Sequence, residues 1–350
     1  YKERPAILDY DTAMEAESRF EEGPRIYGCG DAAEAIAKAP HKIEGTIEIG
    51  GQEHFYLEGQ AAAAAPQEGG DMTVYSSTQH PSEIQHKVAH ALHVPMHAVR
   101  VETRRMGGGF GGKESQGNWL AIACAIAARD TGKPCKMRYD RDDDMIITGK
   151  RHDFRISYTC GFDEDGRILG VDFLQLTRAG WSLDLTLPVA DRAMLHADNA
   201  YFLPNARIES HRLKMNTQSN TAYRGFGGPQ GVLGIERVVD HIAHTLGKDP
   251  VEVRRLNYYD EMVTPTAGDG QPEDHVLSLD GEPTSEGSVE HLDPHPQHAG
   301  GQLTPRGKLT PYGQEVEDFI LHGMTEKLME TADYAARKEA VAQWNADNPI

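Results

Sequence analysis

The chain has 350 residues, 39% hydrophobic and 25% charged, with a formal net charge of −19. That length accommodates two domains with a substantial core, and the acidic balance excludes a general nucleic-acid surface, since a phosphate backbone attracts the opposite sign. Cys29, Cys124, Cys135 and Cys160 form no C-x-x-C pair, which argues against zinc or iron–sulfur ligation within the chain and against a disulfide framework.

The sequence starts at Tyr1 and stops at Ile350 just past a helical pattern, so an excerpt of a longer chain is expected. No signal peptide opens it and no apolar run is long enough to span a bilayer, which makes a soluble, cytoplasmic protein the default expectation. Residues 1–45 are acidic, with a helix-like patch from Asp31 to Lys38. Ile47–Gly51 runs into Gln52–Glu58, which alternates poorly but is rich in strand formers. Ala61–Ala65 and Asp71–Ser76 read as strands divided by a Pro66–Gly70 turn. Thr78–Glu83 reads as a helix start with Pro81 in the first turn, and Ile84, Val88, Ala91 and Leu92 form its apolar face. His86, His90, His93 and His97 fall on the polar face and exit of that helix with no supporting acid, so they read as surface histidines before they read as metal ligands. Gln79, just before the helix, could face a ligand, though a residue there is more often a cap or turn.

Met106-Gly-Gly-Gly-Phe-Gly-Gly-Lys-Glu114 is the densest glycine cluster. A polar strand, His97–Thr103, leads in and the apolar run Trp119–Ala128 leads out, a strand–loop–helix layout suited to holding a polar group on backbone N–H donors. Gly107, Gly109 and Gly112 satisfy G-x-G-x-x-G, but no acid follows about 20 residues on at the end of a next strand, as a dinucleotide site requires. Gly107–Lys113 also fits G-x-x-x-x-G-K. Glu114 stands where Ser or Thr would ligate magnesium, and its carboxylate would repel a triphosphate. What remains is a backbone cradle for a different cofactor or a polar substrate.

Trp119–Ala128 is apolar on nearly every face and reads as a buried helix stopped near Asp130–Pro134. Cys135–Tyr139 reads as a strand, and Asp140–Asp144, which lacks the alternating ligands of a calcium loop, as a solvated turn. Phe154–Cys160 and Ile168–Leu176 form a hairpin around Asp163–Gly166. Asp191–His196 is a short helical piece and Tyr201–Glu209 an extended stretch. A second cluster, Asn220-Thr-Ala-Tyr-Arg-Gly-Phe-Gly-Gly-Pro-Gln-Gly231, repeats the aromatic-between-glycines composition of the first and opens an amphipathic helix closed by Gly247. Two such loops are hard to explain as simple turns, because each costly glycine needs its own reason. Residues 261–305 hold nine acids and no Lys or Arg, the composition of a linker or surface insertion. A helical pattern resumes from Tyr312, through Val316, Phe319, Ile320, Met324 and Leu328.

Four stretches together carry a family resemblance: Gly50–Glu58, Arg105–Glu114, Asp140–Gly149 and Asn220–Gln230. In this order they resemble the molybdopterin-binding subunit of the xanthine dehydrogenase family, in the wider xanthine oxidase/aldehyde oxidase group, from about residue 40 to 260 and again from about Pro311. The resemblance implies an α+β fold of mixed and antiparallel sheets with flanking helices. It divides the chain into the tail of an N-terminal α/β domain (1–45), a first molybdenum-cofactor-binding domain (46–260), an acidic linker or insertion (261–306) and the start of a second such domain (307–350).

By the same resemblance, Gln79 lies near an oxo ligand of molybdenum, Phe110 and Gly111 belong to one cofactor-contacting loop, and Arg224 to the other. Gln79, Phe110 and Arg224 are then the molybdenum-proximal residues. Glu114 resembles the glutamate that hydrogen-bonds a purine, Arg192 the arginine that faces its oxygen, and Phe226 the aromatic packed against it. Related aldehyde oxidases generally have apolar residues in place of the Glu and Arg, so their presence favours xanthine or hypoxanthine over an aldehyde or another N-heterocycle. A non-catalytic assembly subunit is the reading from a different class. The implied reaction is hydroxylation to urate with water-derived oxygen, electrons leaving through iron–sulfur clusters and FAD on a partner chain or domain to NAD. An iron–sulfur/FAD small subunit and a dimer of heterodimers are implied with it. The family's general base lies in a Gly-Glu-Pro-Pro-type motif near the end of the subunit; Gly281-Glu282-Pro283 sits in the acidic insertion and is not that motif. The chain alone is therefore expected to be inactive.

Overall fold

The computed structural model describes residues 3–260 and 308–348. Short α1 (Tyr10–Glu15), β1 (Arg25–Cys29), α2 (Ala32–Lys38) and β2 (His41–Ile49) come first. The strands β3 (Ala61–Pro66) and β4 (Met72–Ser76) then precede α3 (Pro81–Leu92), β5 (Val99–Glu102), α4 (Asn118–Thr131), β6 (Cys135–Arg138) and α5 (Arg141–Ile147). The long strands β7 (Phe154–Phe162) and β8 (Ile168–Gly180) lead to α6 (Thr186–Met194), β9 (Ala206–Lys214), α7 (Gly228–Leu246) and α8 (Pro250–Asn257), and α9 (Leu321–Thr331) and α10 (Tyr334–Asp347) close the described chain.

The strands form two mixed sheets, in the orders β1-β9-β8-β7-β2 and β5-β4-β3-β6. In the larger sheet only β8 and β9 run parallel; in the smaller, only β4 and β5. The fold is α+β, as expected. Alternation along β7 and β8 sends Phe154, Ile156, Tyr158, Val171 and Phe173 to one face, where Ile235, Val238, Val239 and Ile242 of α7 cover them. The second core packs Ala62, Ala64, Met72 and Val74 against Ile84 and Val88 of α3 and Leu120, Ala121, Cys124 and Ala125 of α4. Small alanines on β3 let α4 approach closely. Residue 45, the expected end of a first domain, falls inside β2, all nine residues of which pair with β7.

Several expectations differ from the structure. Gln52–Glu58 is not a strand: His54 and Tyr56 are buried in an irregular segment, and Phe55 takes φ of +50°. Asp140–Asp144 is not a solvated turn. Asp140 caps α5 by accepting from the Asp143 N–H at 2.8 Å, the acids of the first turn favour the helix dipole, and Asp144 is 1% exposed. Trp119–Ala128 is helical, yet Trp119, Ala123 and Ala127 form an exposed stripe. The helix expected at Asp191–His196 begins earlier, at Thr186, the strand expected at Tyr201–Glu209 runs instead over Ala206–Lys214, and helix α8 was not anticipated. Val316 and Phe319 precede α9 and are not helical. The acidic insertion, with Glu282, lies outside the described residues.

Candidate functional site

The two glycine clusters meet. In the first loop, Gly107, Gly108, Phe110 and Gly111 all have positive φ, of +59°, +95°, +55° and +99°. The turn they make places the Phe110 carbonyl to accept from the Arg224 N–H at 2.9 Å, the direct backbone link between the loops. Gly111 lies so close to the second loop that a Cβ would stand 2.6 Å from the Ala222 carbonyl oxygen. The second loop repeats the geometry: Phe226 has φ of +49° between Gly225 and Gly227 at +95° and +94°. An aromatic held in the left-handed region is strained, and such strain accumulates where a ligand has to be met.

Gln79 faces the first loop from the turn before α3. Its Oε1 accepts from the Gly111 N–H at 2.8 Å and the Lys113 N–H at 3.3 Å, and its own N–H donates to the Lys113 carbonyl at 2.8 Å. Two donors on Oε1 fix the orientation of the amide. Its Nε2 is left without an acceptor among the described residues. Lys113, which a nucleotide loop would aim at phosphates, turns inward instead. It is fully buried, its ammonium donates to Ser77 Oγ at 2.7 Å and to the Met106 carbonyl, and it lies 4.8 Å from the centre of the Tyr56 ring. Burial pulls its pKa below the ordinary lysine value. The lysine closes the loop; it does not serve a ligand.

Behind the loops stands a layer not anticipated from the sequence. His54 Nε2 bonds the Ala222 carbonyl at 2.7 Å, and its ring sits 4.9 Å from that of Tyr223. The Arg151 guanidinium lies 3.9 Å from the Tyr223 ring centre and donates to the Arg224 carbonyl at 2.8 Å and to Gln52 Oε1 at 2.6 Å. Asp144 accepts from the Tyr56 hydroxyl at 2.5 Å and the Gln60 N–H at 2.6 Å, while Gln60 Nε2 donates to the Gly112 carbonyl at 2.8 Å. Asp144 and His54 both lie within quoted motifs, Asp140–Gly149 and Gly50–Glu58, but neither carried a role.

Glu114 leaves the first loop half-buried. Burial raises its carboxyl pKa above the usual range, with nearby Asp184 acting in the same direction and His80 opposing. Arg192 lies exposed in the last turn of α6, and its guanidinium makes no ion pair among the described residues. The helix α6 is seated against the second loop at Gly227, where a Cβ would lie 2.0 Å from the Val189 carbonyl oxygen. Arg192 Nε would lie 3.8 Å from a Cβ on Gly228, two residues after Phe226. The structure thus joins Gln79, Phe110, Gly111 and Arg224 directly, and seats Arg192 beside Gly228, two residues on from Phe226. Glu114 approaches from the first loop, with no side-chain bond to either.

A family model described as "Molybdopterin cofactor-binding domain" matches residues 18–258. Xanthine dehydrogenase of Drosophila subobscura is 46% identical over 255 residues, 73% of this chain and 19% of its own length. Nicotinate hydroxylase of Emericella nidulans is 34% identical over 354 aligned residues, covering 99% of this chain and 23% of its own length. The aldehyde oxidoreductase of Desulfovibrio gigas superposes with a TM-score of 0.73 at 23% identity, over 96% of this chain and 33% of its own, a likeness of fold. The chain spans about a fifth of the length of the curated relatives it matches. A family model covering most of the described chain, with both glycine loops inside it, establishes that the chain belongs to the molybdopterin cofactor-binding domain family.

Proposed function

We propose that this chain forms one wall of the reaction centre of a molybdenum hydroxylase that oxidises hypoxanthine and xanthine to urate. The residues fit the cofactor. None of the backbone N–H groups from Gly107 through Phe110 donates to an acceptor among the described residues, and Gln79 Nε2 is likewise free, so this loop keeps donors available for an anionic group. Gln79, Phe110, Gly111 and Arg224 would hold it. Bound molybdenum–molybdopterin supplies two-electron oxidation with oxygen drawn from water.

The observation that carries the substrate reading is Arg192, a guanidinium without an acidic partner among the described residues, set beside the Phe226 loop at Gly228. A cation there stabilises negative charge developing on a purine ring. Glu114, held in its protonated form to higher pH by burial, offers the ring a hydrogen bond, and Phe226 supplies an apolar face. Electron exit through iron–sulfur clusters and FAD to NAD, an iron–sulfur/FAD partner subunit in a dimer of heterodimers, and a cytoplasmic setting complete the reading.

A second substrate class has a specific basis: the 34% identical relative is a nicotinate hydroxylase, and the same cation would pair with a carboxylate. In the complete enzyme, Arg192→Met should lower kcat/KM for xanthine by about 100- to 1000-fold and leave a neutral aromatic aldehyde nearly unaffected. Equal losses on both substrates would refute a substrate-facing arginine. Wild-type turnover of nicotinate in preference to xanthine would replace the purine with the pyridine acid.

A further inference from the structure

Asp184, in the segment between β8 and α6, has φ of +43°, a conformation that Asp tolerates better than most residues because its short side chain bonds locally. Both carboxylate oxygens are engaged. Oδ2 accepts from Ser115 Oγ at 2.7 Å and from Gln116 Nε2 at 2.9 Å, both immediately after Glu114. Oδ1 accepts from Thr221 Oγ1 at 2.7 Å, at the entry to the second glycine loop, and from the Leu185 N–H at 2.7 Å. Gln116 passes the connection on, its Oε1 accepting from the Gly149 N–H at 2.9 Å. One carboxylate therefore ties together the exit of the first loop, the entry of the second and the start of the helix that carries Arg192. The backbone bond between Phe110 and Arg224 joins the loops at their tips; Asp184 joins them at their base.

We propose that Asp184 is a positioning residue that sets the place of Glu114 relative to the second loop and to Arg192. The proposal rests on the purine reading for Glu114, but the latch itself can be tested without any substrate. A carboxylate with four donors is demanding: Asp184→Asn retains an acceptor for Thr221 and Leu185 but presents an N–H donor to Gln116, which is itself a donor. Asp184→Ala releases both sides from the carboxylate and leaves the Ser115 and Thr221 hydroxyls, 3.3 Å apart, as the direct contact between them.

Hydrogen exchange on the complete enzyme, with and without its cofactor, separates these cases. Asp184→Ala is expected to speed exchange at least tenfold in both 113–117 and 220–224, and Asp184→Asn to do so in 113–117 alone. Gln116→Ala, a milder change that keeps the Ser115–Thr221 hydroxyl contact at 3.3 Å, should loosen only the first segment and serves where Asp184→Ala does not fold. In turnover, Asp184→Asn should raise the KM for xanthine about tenfold with a smaller change in kcat, and should leave the KM for a neutral aldehyde in place. Unchanged exchange in 113–117, or equal loosening of both segments by Asp184→Asn, would overturn the latch. Equal KM changes for purine and aldehyde would overturn the role toward Glu114. If the wild-type enzyme turns over no purine, the substrate reading fails separately, and the exchange pattern still decides the latch.

Discussion

Gly109 and Gln79 compete for one volume. A Cβ on Gly109 would lie 2.5 Å from Gln79 Oε1 and 2.8 Å from its Cγ, and unlike its neighbours Gly109 does not have positive φ. Alanine is therefore permitted by the backbone, and the three heavy atoms nearest to its Cβ would all belong to the glutamine, whose amide would have to leave the Gly111 and Lys113 N–H groups. Gly109→Ala is expected to cost about 1–3 kcal/mol, the range for overpacking, and to weaken cofactor retention, measured as molybdenum content after dialysis. Gln79→Ala removes the obstruction, so adding Gly109→Ala to it should cost under about 0.5 kcal/mol, a strong departure from additivity. Gly111→Ala offers a contrast. It combines φ of +99° with a backbone carbonyl at 2.6 Å, and no side-chain change relieves it. A purely additive double mutant would show that the glutamine does not fill the space the glycine leaves.

At the scale of elements, α6 is held at its last turn by charge. Asp191 Oδ2 accepts from Arg25 of β1 and its Oδ1 from Arg212 of β9, each at 2.5 Å, and Glu21 lies 3.4 Å from Arg212. Arg212 is 1% exposed, so Asp191→Ala leaves a buried guanidinium with Glu21 at 3.4 Å as its remaining acid and should cost about 3 kcal/mol. Asp191→Leu combined with Arg212→Met should be less destabilising than the alanine variant, since the pair's desolvation is then avoided; denaturation midpoints report both. A double variant weaker than the single one would contradict this. Little of this clamp was legible. The hairpin β7–β8, α3 with Pro81 and α7 with its closing Gly247 announce themselves through period, turn and cap residues within a few positions. The partners of Arg212 lie far away along the chain, and β9 was placed too early for Arg212 to fall within it. Helix α8 did carry a local signal in Asp249-Pro250, a capping acid followed by a first-turn proline, and α5 carried one in Asp140, where the acidic run Asp140–Asp144 resembles a loop. The family motifs exposed the loops and their residues, whereas Asp144, Asp184 and the inward turn of Lys113 required the tertiary structure.

Across the whole molecule, two of the acids that anchor the described C-terminal segment to the rest titrate in opposite directions, beside contacts such as Arg255–Glu326 at 2.8 Å. Buried Asp198 accepts from the hydroxyls of Tyr259 at 2.7 Å and Tyr312 at 2.8 Å. Burial raises its pKa, and those hydrogen bonds offset only part of the rise. Asp249 accepts from the Tyr334 hydroxyl at 2.9 Å, from the Val251 N–H at 2.8 Å and from the Lys338 ammonium. Burial raises this carboxyl too, but the three partners outweigh it and the net shift is downward. A raised carboxyl binds its proton more tightly in the folded state, so acidification through its window favours folding. A lowered one contributes stability above the free aspartate value, about 4, and that stability is lost as pH falls from there through the folded value. Acid should therefore release α10 at Asp249 while Tyr312 stays docked. No residue of α10 is buried, and Val341 and Trp344 are exposed, so little apolar contact resists that release. Asp249→Asn reproduces the neutral group at neutral pH, where exchange chemistry is unchanged. Amides of 334–347 should then exchange about tenfold faster, equivalent to ~1.4 kcal/mol, with protection around Tyr312 and Asp198 unaltered. Faster exchange at Tyr312, or none in α10, would show that the two anchors are not independent.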